Sequence, residues 1–545
     1  TFVGPKGTSA DSGSAVNVQS GAKVTIEGGD FSGGKNATLG VSGTMIVKGG
    51  TFDQVVNALY LADGYVCQMN ADNKYEVFFA VAKIGDTYYA TLQEALNAAA
   101  AGTGNITVEI LDDINLTNVD WNPVTVSAPG YPVVTVEGND KTITGLNDML
   151  FAGTWAGGSG LIINDLTIAN SNIVNDKDDT PGTVGVGAFI GYPQASATIT
   201  LNNCHLKDSH VEGGHWTGGL IGMAGGYNGN DGPVFMNLTI KDCSVTGSTI
   251  TGKGSCGGII GHGSCAAWTA VNIQTTIVSG NTVTSTGSST NKAGAVMGTI
   301  GAAGQPTTAN GVTMTGGAMV AAIVSDNTVT SGGTAITTIY GRQGTDTGIL
   351  ELNGGSYDNY PIEQNVAYAK PAAGLMIELN DNGTYGLVED PAYGKVAMIG
   401  ETYYETLSAA FAAVTGDEQT VVILSDVTEK LEGANLRGNI TTKDGTKVTI
   451  TLTNENWVYC PYTFILGENI TLNVPALFYY AGGAQINGTV VAGAYYQRYA
   501  DTKLTINEPG SMKVTTETFI VRYMDGDPNA GIYIIGDNND ETIGL

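Results

Sequence analysis

The sequence predicts an all-β protein, a right-handed parallel β-helix in which the chain winds as a solenoid. Two observations predict this fold: short strands rich in β-branched residues recur along the chain, and glycine accounts for 78 of 545 residues. That is about twice the usual frequency of roughly 7 %; there is no collagen period and proline is scarce, so glycine marks turns. A chain of this length also exceeds the roughly 250–300 residues that one globular core supports, which favours stacked repeats.

The first repeat has a period of 21 residues. Residues 24–31 (VTIEGGDF) recur as residues 45–52 (MIVKGGTF), and a third version is found at residues 350–357 (LELNGGSY). A short strand that ends in a Gly-Gly turn suits one coil of a solenoid, because a single coil buries its apolar side only by stacking on its neighbours. Residues 1–80 are therefore predicted to form stacked coils.

The longest duplication has an offset of 315 residues. Residues 81–92 (VAKIGDTYYATL) recur as residues 396–407 (VAMIGETYYETL). Alanine-rich stretches follow at 92–101 and 407–414, and their apolar residues at helical spacing predict the long helices of the chain. Each helix leads into a hydrophobic strand. We expect the helix to cover the open end of the first coil, whose unpaired backbone groups would otherwise recruit another strand.

The two predicted helices differ at their amino termini. Thr91 and Glu94 fit a capping box, in which the threonine accepts a hydrogen bond from the backbone and the glutamate reaches back. The second copy has Ala409 in place of the glutamate. Its cap should therefore be weaker by several tenths of a kcal/mol to about 1 kcal/mol.

These copies divide the chain into three predicted segments. Residues 1–80 are the tail of a preceding unit, residues 81–395 are a helix-capped β-helix, and residues 396–545 are a second helix-capped β-helix without its tail. The tail has the same order of motifs as residues 349–388. Two explanations stay open: the chain is part of a longer tandem array, or the tail of one molecule stacks on the last coils of the next and builds a filament.

A longer repeat occupies the middle of the chain. Spacings of 31, 39 and 37 residues separate the copies of its first element, a glycine-flanked aliphatic pair: residues 187–191, 218–222, 257–261 and 294–298. A second element alternates with the first, at residues 203–206, 242–245, 280–283 and 326–329. With coils of about 20 residues, each such repeat is predicted to make two coils.

Over residues 160–345 this pattern resembles the GLUG repeats of bacterial surface proteins. The helix followed by β-coils resembles the amino-terminal cap of pectin-lyase-like β-helices. The resemblance implies a bacterial cell-surface protein. It does not separate a structural role from an enzymatic one, because β-helices host both.

Composition excludes several classes of partner. The chain has 23 Lys and Arg residues against 51 Asp and Glu, a net charge of −28. Nucleic acids and anionic membrane surfaces both attract a basic face, so neither is an expected partner. No run of about 18 apolar residues is present for insertion into a membrane. Thr1 in place of Met indicates a processed or truncated start, and we infer an extracellular or cell-surface location.

The six cysteines are too few for a disulfide-rich scaffold and lack the paired spacing of a zinc site. Cys204 and Cys243 occupy equivalent repeat positions and are expected to fill the core. Two coils per repeat would place them about 10 Å apart, which excludes a bond between them. Cys256 and Cys265 could bridge a local loop in an oxidising compartment, and this bridge stays open as an alternative to free thiols.

All the histidines, His205, His210, His215 and His262, lie within 58 residues of one another. A transition-metal site needs three or four converging ligands. The five-residue spacing of the first three does not keep one face of a strand, since faces alternate with a period of two. The histidines are therefore interpreted as turn and surface residues, and neither a metal nor a cofactor is predicted.

No catalytic residue is predicted. Lyases that act on acidic sugars need Arg or Lys beside a calcium-binding acidic cluster, whereas the four arginines stand far apart. Glycoside hydrolysis needs a defined pair of carboxylates, and the run Asp176, Asp178 and Asp179 is interpreted as a solvated loop. 

Carboxy-terminal tyrosines are either a sugar-stacking platform or, as we favour, a ladder of rings on successive coils. They are Tyr459, Tyr462, Tyr479, Tyr480, Tyr495, Tyr496 and Tyr499.

The sequence thus predicts an extracellular structural or adhesive cell-surface repeat protein that is not an enzyme. The expected partners are the protein itself, by head-to-tail stacking into a homopolymer, and glycans or the surfaces of host or neighbouring cells. The alternative is a carbohydrate-active enzyme or a glycan-binding module built on a β-helix.

Overall fold

The computed structural model describes residues 2–3, 14–33, 38–126, 132–155, 159–175, 185–194, 198–225, 227–229, 232–234, 236–264, 269–287, 293–300, 307–309, 312–314, 317–331, 350–362, 369–497, 504–515, 519–521 and 532–535. The regular secondary structure of these residues is nearly all β, with many parallel sheets, which confirms the all-β prediction. The chain divides into two compact units, residues 1–372 with 376–388 and residues 373–375 with 389–545. The division into three segments stays a prediction.

Parallel sheets, called A to D here, run through the first unit, and neighbouring strands in each come from successive repeats. Sheet A contains Asn105–Ile110, Val133–Thr144, Gly160–Ala169, Thr198–Lys207, Met236–Lys241, Ser244–Thr246, Thr269–Ser279, Gly317–Ser325 and Leu350–Tyr357, with the short strands Ile114–Asn115 and Ala369–Pro371. Antiparallel strands extend it at Ala82–Ile84, Thr87–Tyr89, Leu375–Leu379 and Tyr385–Glu389.

Sheets B to D have shorter strands. Sheet B contains Val124–Val126, Phe151–Trp155, Ile190–Gln194, Ile221–Gly225, Ile260–Ser264 and Met297–Ile300. Sheet C contains Asn172–Asn175, His210–Gly213, Thr249–Gly252, Thr282–Ser285 and Thr328–Ser331, and sheet D contains Gly185–Gly187, Trp216–Gly218, Ser255–Gly257 and Ala293–Gly294. Small antiparallel hairpins join Tyr227–Gly229 to Gly232–Val234 and Thr307–Ala309 to Val312–Met314.

One repeat of the middle region passes once through all of these sheets. After Thr198–Lys207 in sheet A, the chain forms His210–Gly213 in sheet C, Trp216–Gly218 in sheet D and Ile221–Gly225 in sheet B, and it returns to sheet A at Met236–Lys241. We call this passage one circuit. The prediction of two coils per repeat is wrong, because the glycine-flanked segment itself supplies two of the strands in each circuit.

The second sequence element does not form a single ladder either. Residues 203–206 and 242–245 are neighbours in sheet A, where His205 lies opposite Ser244. In sheet C, by contrast, Thr282 lies between Thr249 and Thr328, so the last two copies stack at a different corner of the circuit. An Asn or Asp turn followed by a β-branched strand suits both corners, which is why the copies look alike.

Glycines of the repeat allow sheets B and D to approach each other closely. A Cβ atom at Gly218 would lie 2.6 Å from the backbone nitrogen of Gly261, and one at Gly257 would lie 2.7 Å from that of Gly298. Both distances are well inside van der Waals contact with rigid backbone, so only glycine fits. The aliphatic pairs between these glycines are fully buried. This packing accounts for the glycine-flanked pairs in the sequence.

The 21-residue period appears in the strands of residues 2–3 and 14–80. Val24 lies opposite Met45 in a parallel pair, and Phe31 stacks on Phe52 with ring centroids 4.9 Å apart. The strands are Phe2–Val3, Val16–Val18, Lys23–Ile26, Asp30–Ser32, Leu39–Val41, Thr44–Val47, Gly50–Phe52, Tyr65–Met69 and Tyr75–Phe79, with a 3-10 turn at Ala58–Tyr60. These residues have an apolar cluster of their own.

Both predicted α-helices are present, α1 at Leu92–Ala100 and α2 at Leu407–Ala413. The Oγ1 of Thr91 accepts a hydrogen bond from the backbone N–H of Glu94, 3.3 Å away, and Thr406 accepts one from Ala409 at 3.1 Å. The apolar face of α1 packs on the first parallel strands of sheets A and B. It therefore lies where the sequence placed a cap.

The second unit has two sheets in its described residues, E and F, and a shorter circuit that alternates between them. Sheet E contains Ala397–Ile399, Thr402–Tyr404, Thr420–Ile423, Gly438–Thr442, Phe464–Leu466, Ala484–Ile486, Leu504–Asn507 and Ile532–Ile535. Sheet F contains Val427–Glu429, Val448–Leu452, Trp457–Cys460, Ile470–Tyr480, Thr489–Gln497, Ser511–Val514 and Phe519–Val521. A 3-10 turn lies at Lys443–Gly445.

Candidate functional site

Aromatic side chains lie on the outer face of sheet F. Trp457 is opposite Leu477 on the neighbouring strand, and Tyr459 is opposite Tyr479. Val458, between the two aromatic residues of its strand, is buried, so the residues on either side of it point away from the core. Trp457 is 57 % exposed. An exposed indole beside tyrosine rings can hold the apolar face of a sugar ring.

The tyrosines of this region divide between the outer face and the core. The rings of Tyr459 and Tyr479 lie 5.0 Å apart and tilted by 33°, and those of Tyr480 and Tyr495 lie 6.3 Å apart in the core. Burial raises the pKa of Tyr480 and of Tyr495 well above the usual range, so both stay neutral. In each pair the two rings lie next to each other on successive circuits, as in a ladder.

The remaining predicted tyrosines have other surroundings. Tyr462 is 42 % exposed, and the guanidinium of Arg437 lies 4.4 Å from its ring centroid. The same arginine donates a hydrogen bond to Asp417 at 2.6 Å. The backbone of Tyr496 lies opposite Tyr479, whereas its side chain and all of Tyr499 lie outside the described residues.

A second candidate feature is a buried polar ladder at the corner between sheets A and C. The Oγ of Ser209 accepts a hydrogen bond from the backbone N–H of Ser171 at 3.1 Å, and the Oγ of Ser248 accepts one from Ser209 at 3.2 Å. The Oδ1 of Asn281 then accepts a hydrogen bond from the backbone N–H of Ser248 at 2.9 Å, and the Oδ1 of Asn327 accepts one from the backbone N–H of Asn281 at 3.0 Å. Each circuit thus satisfies a backbone donor of the circuit before it, which fixes the register of stacking.

The predicted histidines do not come together as a metal site. His205 contacts the Oγ of Ser244 through Nδ1 at 2.8 Å and the Oδ1 of Asn203 through Nε2 at 3.0 Å, while His210 contacts Glu212 at 3.0 Å. Burial lowers the pKa of His205. Within the described part of the chain, no three His, Cys, Asp or Glu side chains are grouped so that they could hold a metal ion.

The other two histidines flank a tryptophan. The ring of His262 stacks on Trp216 with centroids 5.2 Å apart and planes 20° from parallel, and His215 meets the same indole edge-on at 4.7 Å. The Nδ1 of His262 also contacts the hydroxyl of Thr299. Burial, helped by the nearby His215, lowers the pKa of His262 to about 4, so its imidazole is neutral at physiological pH.

The cysteines require a correction. Cys204 and Cys243 were predicted two coils apart, but they lie on adjacent circuits, and the backbone N–H of Cys204 is 3.4 Å from the Sγ of Cys243. Cys256 is a buried thiol, and burial raises its pKa to about 12. Cys265 lies outside the described residues, as do Asp176, Asp178 and Asp179. 

No helix in the described ranges is long and apolar enough to span a membrane.

Comparison with known proteins does not identify a family for this chain. No protein-family model and no curated protein matches the chain, so the resemblance to GLUG repeats stays a prediction. Among solved structures, a match is found to the "Crystal structure of a putative immunoglobulin A1 protease from Bacteroides ovatus". It has a TM-score of 0.27 and 14 % identity, and it covers 52 % of this chain and 85 % of that one. A TM-score this low does not establish a shared fold, so that protein's name says nothing about this chain.

Proposed function

We propose that the chain is a right-handed parallel β-helix that serves as an extracellular structural or adhesive repeat protein. The observation that supports this proposal is the repeated parallel stacking of successive circuits around one apolar cluster, from Ala82 to Tyr357 in the first unit. Because successive circuits pair strand on strand along each sheet, such a stack can be lengthened without a new core, which is the property of architectural repeat proteins. 

A strongly acidic composition, with a net charge of −28, keeps such a protein soluble outside the cell.

Surface labelling tests the location. An antibody raised against the full chain should label intact cells of the source organism, and brief protease treatment of those cells should remove the label. Labelling that requires lysis would contradict an extracellular role.

The partner that this proposal favours is a second copy of the chain, bound head to tail. We expect natively isolated protein to form long uniform fibres in negative-stain electron microscopy. Deletion of residues 1–80 should abolish the fibres and leave the strands of sheets A to D protected from hydrogen exchange. Fibres that survive the deletion would rule out stacking through these residues.

Glycan binding on the outer face of sheet F is a second candidate function, favoured by the exposed indole of Trp457. A glycan array with the full chain would identify a binding sugar, and Trp457→Ala should then lower the affinity about tenfold, since an aromatic stack is worth about 1.4 kcal/mol. Tyr393→Ala is the matched control, because Tyr393 is 60 % exposed and lies outside this face. Equal loss in both variants, or binding that is unchanged by Trp457→Ala, would exclude this surface.

A further inference from the structure

Cys204 and Cys243 occupy neighbouring strands of sheet A. Cys204 is part of Thr198–Lys207, and Cys243 directly precedes Ser244–Thr246, which pairs with that strand so that His205 lies opposite Ser244. The backbone N–H of Cys204 donates a hydrogen bond to the Sγ of Cys243 at 3.4 Å, and both side chains are buried. The side chains therefore meet inside the core.

The spacing of these strands matches the geometry of a disulfide. Neighbouring strands lie about 4.8 Å apart, and the Cα atoms of a disulfide lie roughly 4.4–6.8 Å apart. Each thiol also donates to a backbone carbonyl, Cys204 to Ile163 at 3.2 Å and Cys243 to Lys241 at 3.2 Å. The two cysteines are 0 % and 1 % exposed, so neither side chain has to leave the core to reach the other.

We propose that Cys204 and Cys243 form a disulfide that joins two successive circuits when the protein meets a disulfide oxidant such as oxidised glutathione. The thiolate of one cysteine attacks the glutathione disulfide, which forms a mixed disulfide and releases one glutathione thiolate. The second cysteine attacks the protein sulfur of the mixed disulfide, the Cys204–Cys243 bond forms, and the second glutathione leaves. The protein loses two electrons and two protons, and both are taken up by the two departing glutathione molecules.

The bond would close a loop that holds one complete circuit, from residue 204 to residue 243. Such a cross-link stabilises chiefly by restricting the unfolded chain, and it persists only in an oxidising compartment. Because both thiols are buried, the exchange takes place during folding or through local opening of the strands.

The chain supplies internal controls of equal burial. Cys256 lies opposite Thr217 and Ala293 in sheet D, and Cys460 lies opposite Tyr480 in sheet F. Both are 0 % exposed, yet neither has a thiol opposite it. Burial alone would protect all of these cysteines alike, whereas the proposed bond removes only Cys204 and Cys243 from later alkylation.

The test is peptide mapping of the full chain by mass spectrometry without reduction. Protein refolded in a glutathione redox buffer is denatured, alkylated with iodoacetamide and digested. We expect one linked peptide pair that contains Cys204 and Cys243, lighter than the two thiol peptides by two hydrogen atoms, while Cys256 and Cys460 are alkylated. Alkylation of Cys204 and Cys243 to the same extent as Cys460, or linkage of either one to a different cysteine, would overturn the proposal.

A second measurement does not depend on the mapping. Oxidised protein should show hydrogen exchange in residues 198–246 that speeds up several-fold on addition of dithiothreitol. Cys204→Ser and Cys243→Ser should abolish that response singly, and Cys256→Ser should keep it. If the wild type does not respond to the reductant, the thiols are not joined and the proposal is wrong.

Discussion

Strands at the corners of the two units are packed in different ways. In the first unit, Gly218 and Gly257 of sheet D bring one backbone against another, with no room for a side chain. In the second unit, the core beside sheet F is filled by rings, among them Phe478, Tyr480 and Tyr495, which are fully buried. 

A circuit through four sheets, three of them with short strands, has close corners at these glycines, whereas the circuit through two sheets encloses a space that large side chains fill. At these positions, the stacking of successive circuits therefore places opposite demands on residue size.

The largest effect is expected where a ring is removed from the second unit. Phe478→Ala should destabilise this unit by about 3–5 kcal/mol, because it leaves a cavity that the neighbouring rings of Phe464 and Tyr495 cannot close. Trp457→Ala, on the adjacent strand of the same sheet, is the control and should change stability by less than about 0.5 kcal/mol. Hydrogen exchange in sheet F measures both. Similar losses for the two variants would show that the core is not carried by these rings.

In the first unit, adding a side chain at a glycine should be destabilising, whereas in the second unit removing one is. Gly257→Ala should destabilise it by about 3 kcal/mol, because the new methyl group meets the backbone of Ile260 and Gly298, which cannot rotate away. Gly28→Ala is the matched control, since a Cβ there meets nothing within 4 Å. Exchange rates of sheets B and D report the difference. A tolerated alanine at Gly257 would mean that close approach of backbones does not explain the glycine repeat.

Some features of these units could be predicted from the sequence because they are local. The threonine caps at Thr91 and Thr406 depend on residues a few positions apart, and the 21-residue strand period is visible because one short motif recurs. The length of the circuit could not be predicted. The glycine-flanked pairs are recognisable as a repeat element, but only the assembled structure shows that each pair joins a strand of sheet D to a strand of sheet B.

For the same reason the candidate site was only partly predicted. Alternation along Trp457–Cys460 separates exposed from buried aromatic residues, and this could have been read from the sequence. The contact between Cys204 and Cys243 could not, because it depends on how many circuits lie between residues 39 positions apart. 

Lowering the pH should destabilise the first unit more than the second, by a smaller amount than the substitutions above. All histidines lie in the first unit, and the pKa of His262 is lowered from 6.5 to about 4. The unfolded chain therefore binds a proton more readily than the folded chain between these values. The free energy of unfolding of the first unit is therefore highest above pH 6.5 and declines as the pH falls towards 4. At pH 5 it should be lower by about 2 kcal/mol than at pH 7.

Hydrogen exchange in sheet B at pH 7 and pH 5, corrected for intrinsic rates, checks this prediction, with sheet F as the internal control. His262→Gln should reduce the difference between the two pH values. A pH response in sheet F of equal size would assign the effect to carboxylates and not to the buried imidazole.

The smallest effect is expected at the amino termini of the two helices. The sequence predicts the weaker cap for α2. In α2 the carboxylate of Glu429, from sheet F, accepts hydrogen bonds from the backbone N–H groups of Leu407 at 2.7 Å and Ser408 at 3.0 Å. It also accepts one from the Ser408 hydroxyl at 2.7 Å. A carboxylate supplied from about 20 residues downstream thus takes the place of the missing Glu94 equivalent, and no local motif signals it.

Glu429→Gln should therefore lower the stability of α2 by about 1–2 kcal/mol, because the charge at the helix amino terminus and one acceptor are lost. Glu94→Gln in α1 should cost less than about 0.5 kcal/mol, since glutamine also serves in a capping box. Exchange rates at residues 409–413 and 95–100 measure the two effects in one experiment. Equal, small changes would mean that the threonine caps hold both helices without help. A larger change in α1 would mean that Glu94, and not a carboxylate from a neighbouring strand, is the stronger of the two anchors.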